Sequence, residues 1–408
     1  MLTILQLSDI HFKRLPEARE EYAQMRQRLY ETVEDICKTA KVDCILICGD
    51  VAFSGNVEEY EQKAKPFVNS LMEKTNCQPA QVYMVPGNHD KDRNASFQST
   101  RIFLRESLLN SDESIECFFS LYKEDGEVFS KWLIPFEAYI NFAGEYRCVS
   151  QGVDNIRFGK KKTYNDKFYW WDDLHVGKYT LRLHGINSCY VSDKDDEKHE
   201  QVLPKELFYD NSERDVLNVA VMHHPLEFVK DKEKVEKMID NIYPIQFYGH
   251  IHRQSVVNGQ PMKIFSGAVM PPKSEGVGND DYQPVFNLID FEEEQVGVKV
   301  TVKPYKWHWT SKDDGKFAAV TPNTPCLITA KKQDVTGGKN ERGVDLPQGV
   351  TQRRIEVEFL QSNKREDIIR KMYSDFVPGS NVVADVSSFF EKIRANNRYV
   401  ELYNLLHE

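Results

Sequence analysis

At 408 residues the chain exceeds the usual length of a single domain, so one large domain with something smaller attached is the first expectation. Hydrophobic residues at 40%, aromatics at 12% and charged residues at 28% exclude a disordered or collagen-like chain. A formal net charge of -10 argues against coating nucleic acid through bulk electrostatics, although it leaves room for a local basic groove.

The segment Met1 to Asp9 has no basic start and no apolar run of signal-peptide length, and no later stretch reaches the ~18 apolar residues of a membrane span. The chain therefore reads as cytoplasmic, with no membrane partner. Eight cysteines, at 37, 44, 48, 77, 117, 148, 189 and 326, form no CxxC pair and no regular spacing, which disfavours a zinc knuckle or a disulfide framework. Reduced, mostly buried thiols are expected.

In chain order, Thr3 to Leu7 is short, apolar and β-favouring. A charged stretch from Pro16 to Lys41 follows, with Met25, Leu29, Val33 and Ile36 at helical spacing. The apolar run Cys44 to Cys48 ends at Gly49-Asp50. A helix predicted over Glu58–Glu73 then leads to the strand Gln81 to Val85 and the turn Pro86-Gly87-Asn88. Strand, helix, strand, helix, strand is the start of an α/β domain.

Regularity breaks from Ser96 to about Gly177, where Phe118, Phe119, Trp132, Phe136, Tyr139, Phe142, Trp170 and Trp171 mark an aromatic-rich insertion. These rings suit a small core better than a base-stacking surface. Strand signals return at Tyr179–Leu183, Val216–Met222, Ile245–Tyr248, Lys263–Phe265, Val285–Ile289 and Val296–Val302 with few helices between them, so the later sheet should be mixed or antiparallel. The pair Trp307 and Trp309 has strand period and is expected to pack. Beyond it, Pro322, Pro325, Gly337-Gly338-Lys339 and Pro347 suggest a linker or small β element. The last forty-odd residues return to helical spacing at Ile368, Ile369 and Met372 and, after a Pro378-Gly379 break, from Val386 to Leu406.

Five short stretches each place hard or imidazole donors just after an apolar strand: Asp9-Ile10-His11, Gly49-Asp50, Gly87-Asn88-His89-Asp90, His223-His224-Pro225 and Gly249-His250-Ile251-His252. Ligands in open α/β folds gather at the carboxyl ends of strands. Two divalent cations about 3.5 to 4 Å apart, sharing one carboxylate, need a donor set of this size. Imidazole suits manganese, iron, zinc and nickel, and the mixture disfavours a calcium-only site. His175, His184, His199 and His308 lack such company and read as structural or exposed.

These motifs, in this order, resemble the calcineurin-like metallophosphoesterase superfamily, whose pattern runs D-x-H, GD, GNH(D/E), H and GHxH. The resemblance covers roughly residues 1–305. It implies an α/β fold of two packed mixed sheets flanked by helices, here with an insertion over about 96–177, a linker or small β element over 306–360 and a helical region over 361–408. Carried over motif by motif, it implies Asp9, His11 and His252 at one metal, Asn88, His223 and His250 at a second, and Asp50 bridging both. His223 is preferred to His224 because the family ligand stands directly after the strand and two residues before Pro; His224 is then a candidate substrate contact. His89 would protonate the leaving oxygen while metal-activated hydroxide attacks phosphorus. Asp90 is a candidate for orienting His89, and Arg93 for contacting the phosphate.

The second motif departs from the phosphoprotein phosphatase branch. That branch reads GDxxDRG, and here Phe53 and Ser54 stand in place of its Asp and Arg. A phosphoprotein substrate is disfavoured. The resemblance thus points to the phosphodiesterase-type branch, acting on a nucleotide, a cyclic nucleotide or nucleic acid, with DNA included. A phosphomonoesterase or nucleotide pyrophosphatase could use the same core, and a silent protein-binding scaffold is the remaining alternative. The C-terminal stretch, Asp385–Phe390 and Asn396–Leu402, loosely resembles the effector-associated adaptor domains of bacterial conflict systems. That likeness implies a protein partner or self-association through the helical tail.

Overall fold

A computed structural model describes residues 1–14, 23–95, 98–111, 114–115, 133–149, 153–154, 163–164, 170–193, 196–203, 215–230, 232–271, 283–310, 315–330, 350–373, 389–390, 392–393 and 398–407. The first strand, β1 (Leu2–Leu7), is buried along its whole length. It pairs in parallel with β2 (Cys44–Ile47), and β2 pairs in parallel with β3 (Val82–Met84). Runs this apolar are what a sheet covered on both faces requires. The first crossover is α1 (Ala23–Cys37), which buries Leu29 and Val33.

The second crossover begins at Asn56, whose side chain accepts from the Glu58 amide while the Glu59 carboxylate reaches back to the Asn56 amide. It passes through a π-helical turn at Tyr60–Ala64 before continuing as α2 (Lys65–Thr75). Plain helical spacing did not signal the widened turn. It sets Tyr60 on the core side, with its hydroxyl 2.7 Å from Asp90.

On the other side of β1, the sheet continues antiparallel through β10 (Val285–Glu293), β11 (Val298–Trp309) and β12 (Gly315–Ala319). The short β13 (Cys326–Ile328) also pairs with β11, completing seven strands. The second sheet has six strands, in the order β8 (Ser255–Val257), β9 (Met262–Phe265), β7 (Ile245–Tyr248), β6 (Val216–Val221), β5 (Tyr179–Gly185) and β4 (Trp170–Val176). Its inner pairings are parallel and its two outer ones antiparallel, so it is mixed, and α5 (Lys232–Ile242) links β6 to β7. Both sheets contribute to one apolar core.

The insertion is more ordered than its sequence suggested, holding α3 (Gln98–Asn110) and α4 (Glu137–Gly144). Phe136, Tyr139, Phe142 and Trp170 are buried, and the Tyr60 and Phe142 rings lie 5.1 Å apart, so these aromatics form core. Phe118, Phe119 and Trp132 lie outside the described residues, as do Gly337-Gly338-Lys339, Pro378-Gly379 and Val386. The tryptophan pair splits: Trp307 is buried, whereas Trp309 is 63% exposed.

At the C-terminal end, α6 (Gln352–Gln361) forms where a linker was expected. Thr351 caps it, and Ile355 and Phe359 give it a buried stripe one turn apart. With α7 (Arg365–Met372) and α8 (Tyr399–His407) it builds a second hydrophobic core around Phe359, Phe389, Phe390 and Tyr399. From α6, Arg353 enters the sandwich where β3 and β4 are the outermost described strands of their sheets. It donates to the Ala80, Val82 and Tyr146 carbonyls at 3.0, 2.7 and 2.7 Å and reaches the Asp172 carboxylate at 3.2 Å. No helix among the described residues is long and apolar enough to cross a membrane, and all seven described cysteines are free.

Candidate metal centre

The loops after β1, β2, β3, β6 and β7 converge at the carboxyl ends of the parallel strands of both sheets. Backbone bonds join the first two directly, from the Asp9 amide to the Gly49 carbonyl at 3.1 Å and from the Ile10 and His11 amides to the Asp50 carbonyl at 2.8 and 3.0 Å. Asp9, His11, Asp50, His250 and His252 all sit in the left-handed backbone region, with φ of 52°, 55°, 54°, 69° and 53°. Each such residue costs on the order of 1 to 2 kcal/mol. Strain repeated at five side chains that meet in space marks a place where aim overrides backbone preference. Gly49 (φ 92°) is needed for room as well as conformation, since a Cβ there would lie 2.5 Å from His223 Nδ1. At Gly87 a Cβ would meet Asp50 Oδ1 at 2.0 Å.

Asp50 is the hub. Its Oδ2 lies 3.4 Å from both His11 Nε2 and His223 Nε2, while its Oδ1 accepts from the His89 amide at 2.7 Å. On one side Asp9 Oδ1 is 3.2 Å from His252 Nε2 and 4.0 Å from His11 Nε2. On the other, Asn88 Oδ1 lies 3.1 Å from His223 Nε2 and 3.3 Å from His250 Nδ1. The donor atoms of Asp9, His11 and His252, and those of Asp9, Asp50 and His223, fall within 4.8 Å of one another.

Burial and charge set the protonation tendencies. Burial works to raise the Asp50 carboxyl, but the surrounding imidazoles of His223, His89 and His11 hold it well below the usual carboxylate range. Burial drives His11 down to about 3 against the pull of Asp50. Burial also opposes a charge on His223, yet Asp50 pushes it up to about 9. His250 is lowered by burial and by the neighbouring His224 and His223.

A cation fits this arrangement. Both ring nitrogens of His11 are buried and make no hydrogen bond, an expensive state for imidazole unless a ligand takes a lone pair. His223 donates Nδ1–H to the Cys48 carbonyl at 2.8 Å, which leaves Nε2 as its coordinating nitrogen. Mixed imidazole, carboxylate and amide oxygen donors suit a transition metal.

The other candidates are placed differently. His89 is oriented by the Phe53 carbonyl, 2.8 Å from its Nδ1, and not by Asp90. The Asp90 carboxylate instead accepts from the Val51, Ala52 and Gly87 amides at 3.2, 2.9 and 2.9 Å and from Tyr60, so it holds the second and third motif loops together. Burial, reinforced by Asp50, raises it to about 7. His224, expected at the substrate, is fully buried, with Nδ1 3.0 Å from Ser188 Oγ and Nε2 3.2 Å from Asp196. Its ring packs 4.4 Å from that of His250, and one ring nitrogen each of His223, His224 and His250 lie within 4.8 Å of one another. Arg93 is half-buried in the turn three residues past Asp90.

Sequence reasoning missed the supports: the Cys48 and Phe53 carbonyls, Ser188 and Asp196. Backbone acceptors leave no trace in side-chain identity, and Asp196 reaches its histidine across 28 residues. Ser8, adjacent to Asp9, was the one support a motif could have flagged; its hydroxyl donates to the same Cys48 carbonyl at 3.0 Å.

Fold, loops and donors together define a calcineurin-like phosphoesterase, and the chain belongs to that family, whose model matches residues 2–254. It is 25% identical over 335 residues to the uncharacterized metallophosphoesterase-like protein YydB of Bacillus subtilis (strain 168), covering 76% of this chain. The alignment spans 62% of that relative's length. Among solved structures it is similar to a dimetal phosphatase from Danio rerio, at TM-score 0.41 and 11% identity over 81% of this chain and 99% of that one. It is also similar to the purple acid phosphatase PPD1 from yellow lupin (Lupinus luteus) seeds, at TM-score 0.39 and 11% identity over 80% of this chain and 53% of that one.

Proposed function

We propose that this protein is a dimetal phosphodiesterase acting on a nucleotide or nucleic-acid ester. Asp9, His11 and His252 would hold one cation, Asn88, His223 and His250 the other, with Asp50 serving both. The observation that carries this reading is the position of Asp50 between the two donor groups, 3.4 Å from a histidine of each. Two bound cations supply an activated water and neutralise charge on the nonbridging phosphate oxygens.

The chain's own residues complete the reaction. With Nδ1–H engaged by the Phe53 carbonyl, His89 keeps Nε2 for the proton that goes to the leaving oxygen as the ester bond breaks. Preference for a diester rests on Ser54. It stands where the phosphoprotein branch carries a phosphate-clamping Arg, and its amide and hydroxyl are both tied to Glu59 at 2.9 Å. A phosphomonoester carries one more negative charge than a diester and gains most from such a clamp.

The direct test is hydrolysis of bis(4-nitrophenyl) phosphate and of labelled single- and double-stranded DNA with Mn²⁺, set against a phosphomonoester. Diester cleavage well above monoester cleavage is expected. Faster cleavage of the monoester would move the assignment to a phosphomonoesterase.

A further inference from the structure

We infer that Phe53 and Lys13 form the subsite for the leaving group, and that this group is a nucleotide whose base stacks on Phe53 and whose further phosphate pairs with Lys13. The inference rests on the reading of His89 given above: a side chain that protonates the leaving oxygen must border the leaving group, so a partly exposed side chain that flanks His89 borders it too. On the donor side the His89 ring stacks on His11, with centroids 4.7 Å apart and planes 29° apart. Its other ring neighbour is Phe53, at 5.1 Å and 33°, which also lies 6.3 Å from His11. The Lys13 ammonium stands 4.5 Å from the centre of the Phe53 ring.

Among the described residues the phenyl ring meets His89, His11 and Lys13. Phe53 belongs to neither hydrophobic core and is half-buried, although Val51 and Ala52 before it are fully buried. Its backbone does structural work, donating to the Phe12 carbonyl at 3.0 Å and accepting from His89, but any residue would supply those groups. The ring thus belongs to the wall of the site and to neither core. Lys13 is exposed and pairs with no carboxylate among the described residues, unlike its neighbour Arg14, which faces Glu58 at 3.9 Å. A partly exposed aromatic ring with an exposed ammonium over it, unpaired with any carboxylate among the described residues, suits a base with an attached phosphate. A simple alkyl alcohol would use neither.

The test compares two diesters that share a 5′ thymidine and differ in the leaving 5′-hydroxyl component, either adenosine 3′-phosphate or its abasic counterpart, using the full chain loaded with Mn²⁺. Wild type should prefer the base-bearing diester in kcat/KM by about tenfold or more, the scale of one base stacked on an aromatic side chain. Phe53→Ala should bring that ratio close to one, and Phe53→Trp should retain it. Lys13→Gln should abolish the preference for a leaving group with the 3′-phosphate over one without it. A ratio unchanged in Phe53→Ala overturns the proposal, even if both rates fall, because the side chain would then act only on His89. Calorimetric titration with adenosine 3′-phosphate and ribose 3-phosphate gives an independent reading. Base-dependent binding lost in Phe53→Ala supports the subsite, and binding indifferent to the base overturns it. Should wild type cleave neither diester, the phosphodiesterase reading fails and the titration alone decides the subsite.

Discussion

At the scale of single residues, Asp50 concentrates the account, since it faces His11, His223 and the His89 amide at once. Asp50→Asn keeps the shape but removes the charge that two cations would share, and kcat on a diester should fall on the order of 10³-fold. Elemental analysis should show the bound metal falling with it; full metal content in the variant would count against a bridging role. His223 and His224 make a second contrast. His223→Ala should lose about one equivalent of metal. His224→Ala should keep both equivalents while weakening affinity about 10- to 100-fold, as expected of a group that supports a ligand. Equal metal loss in both variants would contradict the assignment. The candidate ligands could be named from the sequence because each follows an apolar strand within a few residues. What orients His89 was not, because the Phe53 carbonyl has no signature and adjacent Asp90 invited the wrong choice.

At the scale of elements, the strands were legible as apolar runs, and the position of the centre followed from their carboxyl ends. Two elements were not. The π-helical turn at Tyr60–Ala64 preserves the spacing of apolar residues closely enough to pass for α-helix, yet it carries the Tyr60 hydroxyl to Asp90. Helix α6 lies within the stretch expected to be a linker or small β element, and two of its charged residues, Arg353 and Glu356, are buried. Arg353 meets Asp172 across 181 residues, and Glu356 meets Arg147 across 209, at 2.6 Å. No local pattern announces such pairs. Arg353→Met strips Asp172 of a buried cation and leaves three carbonyls without their donor, so denaturant unfolding should show a loss of about 3 to 5 kcal/mol. Adding Asp172→Asn should recover part of it. A change below about 1 kcal/mol would mean that α6 rests on the sandwich without holding it. Because β3 leads directly to Asn88 and His89, this clamp also bears on the geometry of the centre.

At the scale of the molecule, cations held between loops from both sheets should stabilise the whole sandwich. A metal at 100 times its Kd adds about 2.7 kcal/mol. Chelation should therefore lower Tm, addition of Mn²⁺ should restore it, and Asp50→Asn should respond weakly to either treatment. A Tm indifferent to chelation in wild type would show that no such cation is held. If two cations act together, activity must depend on the second equivalent of metal. Chelated protein titrated with Mn²⁺ should hydrolyse bis(4-nitrophenyl) phosphate with a rate that stays low through the first equivalent and saturates at the second. Saturation at one equivalent, or hydrolysis undiminished by chelation, would contradict it.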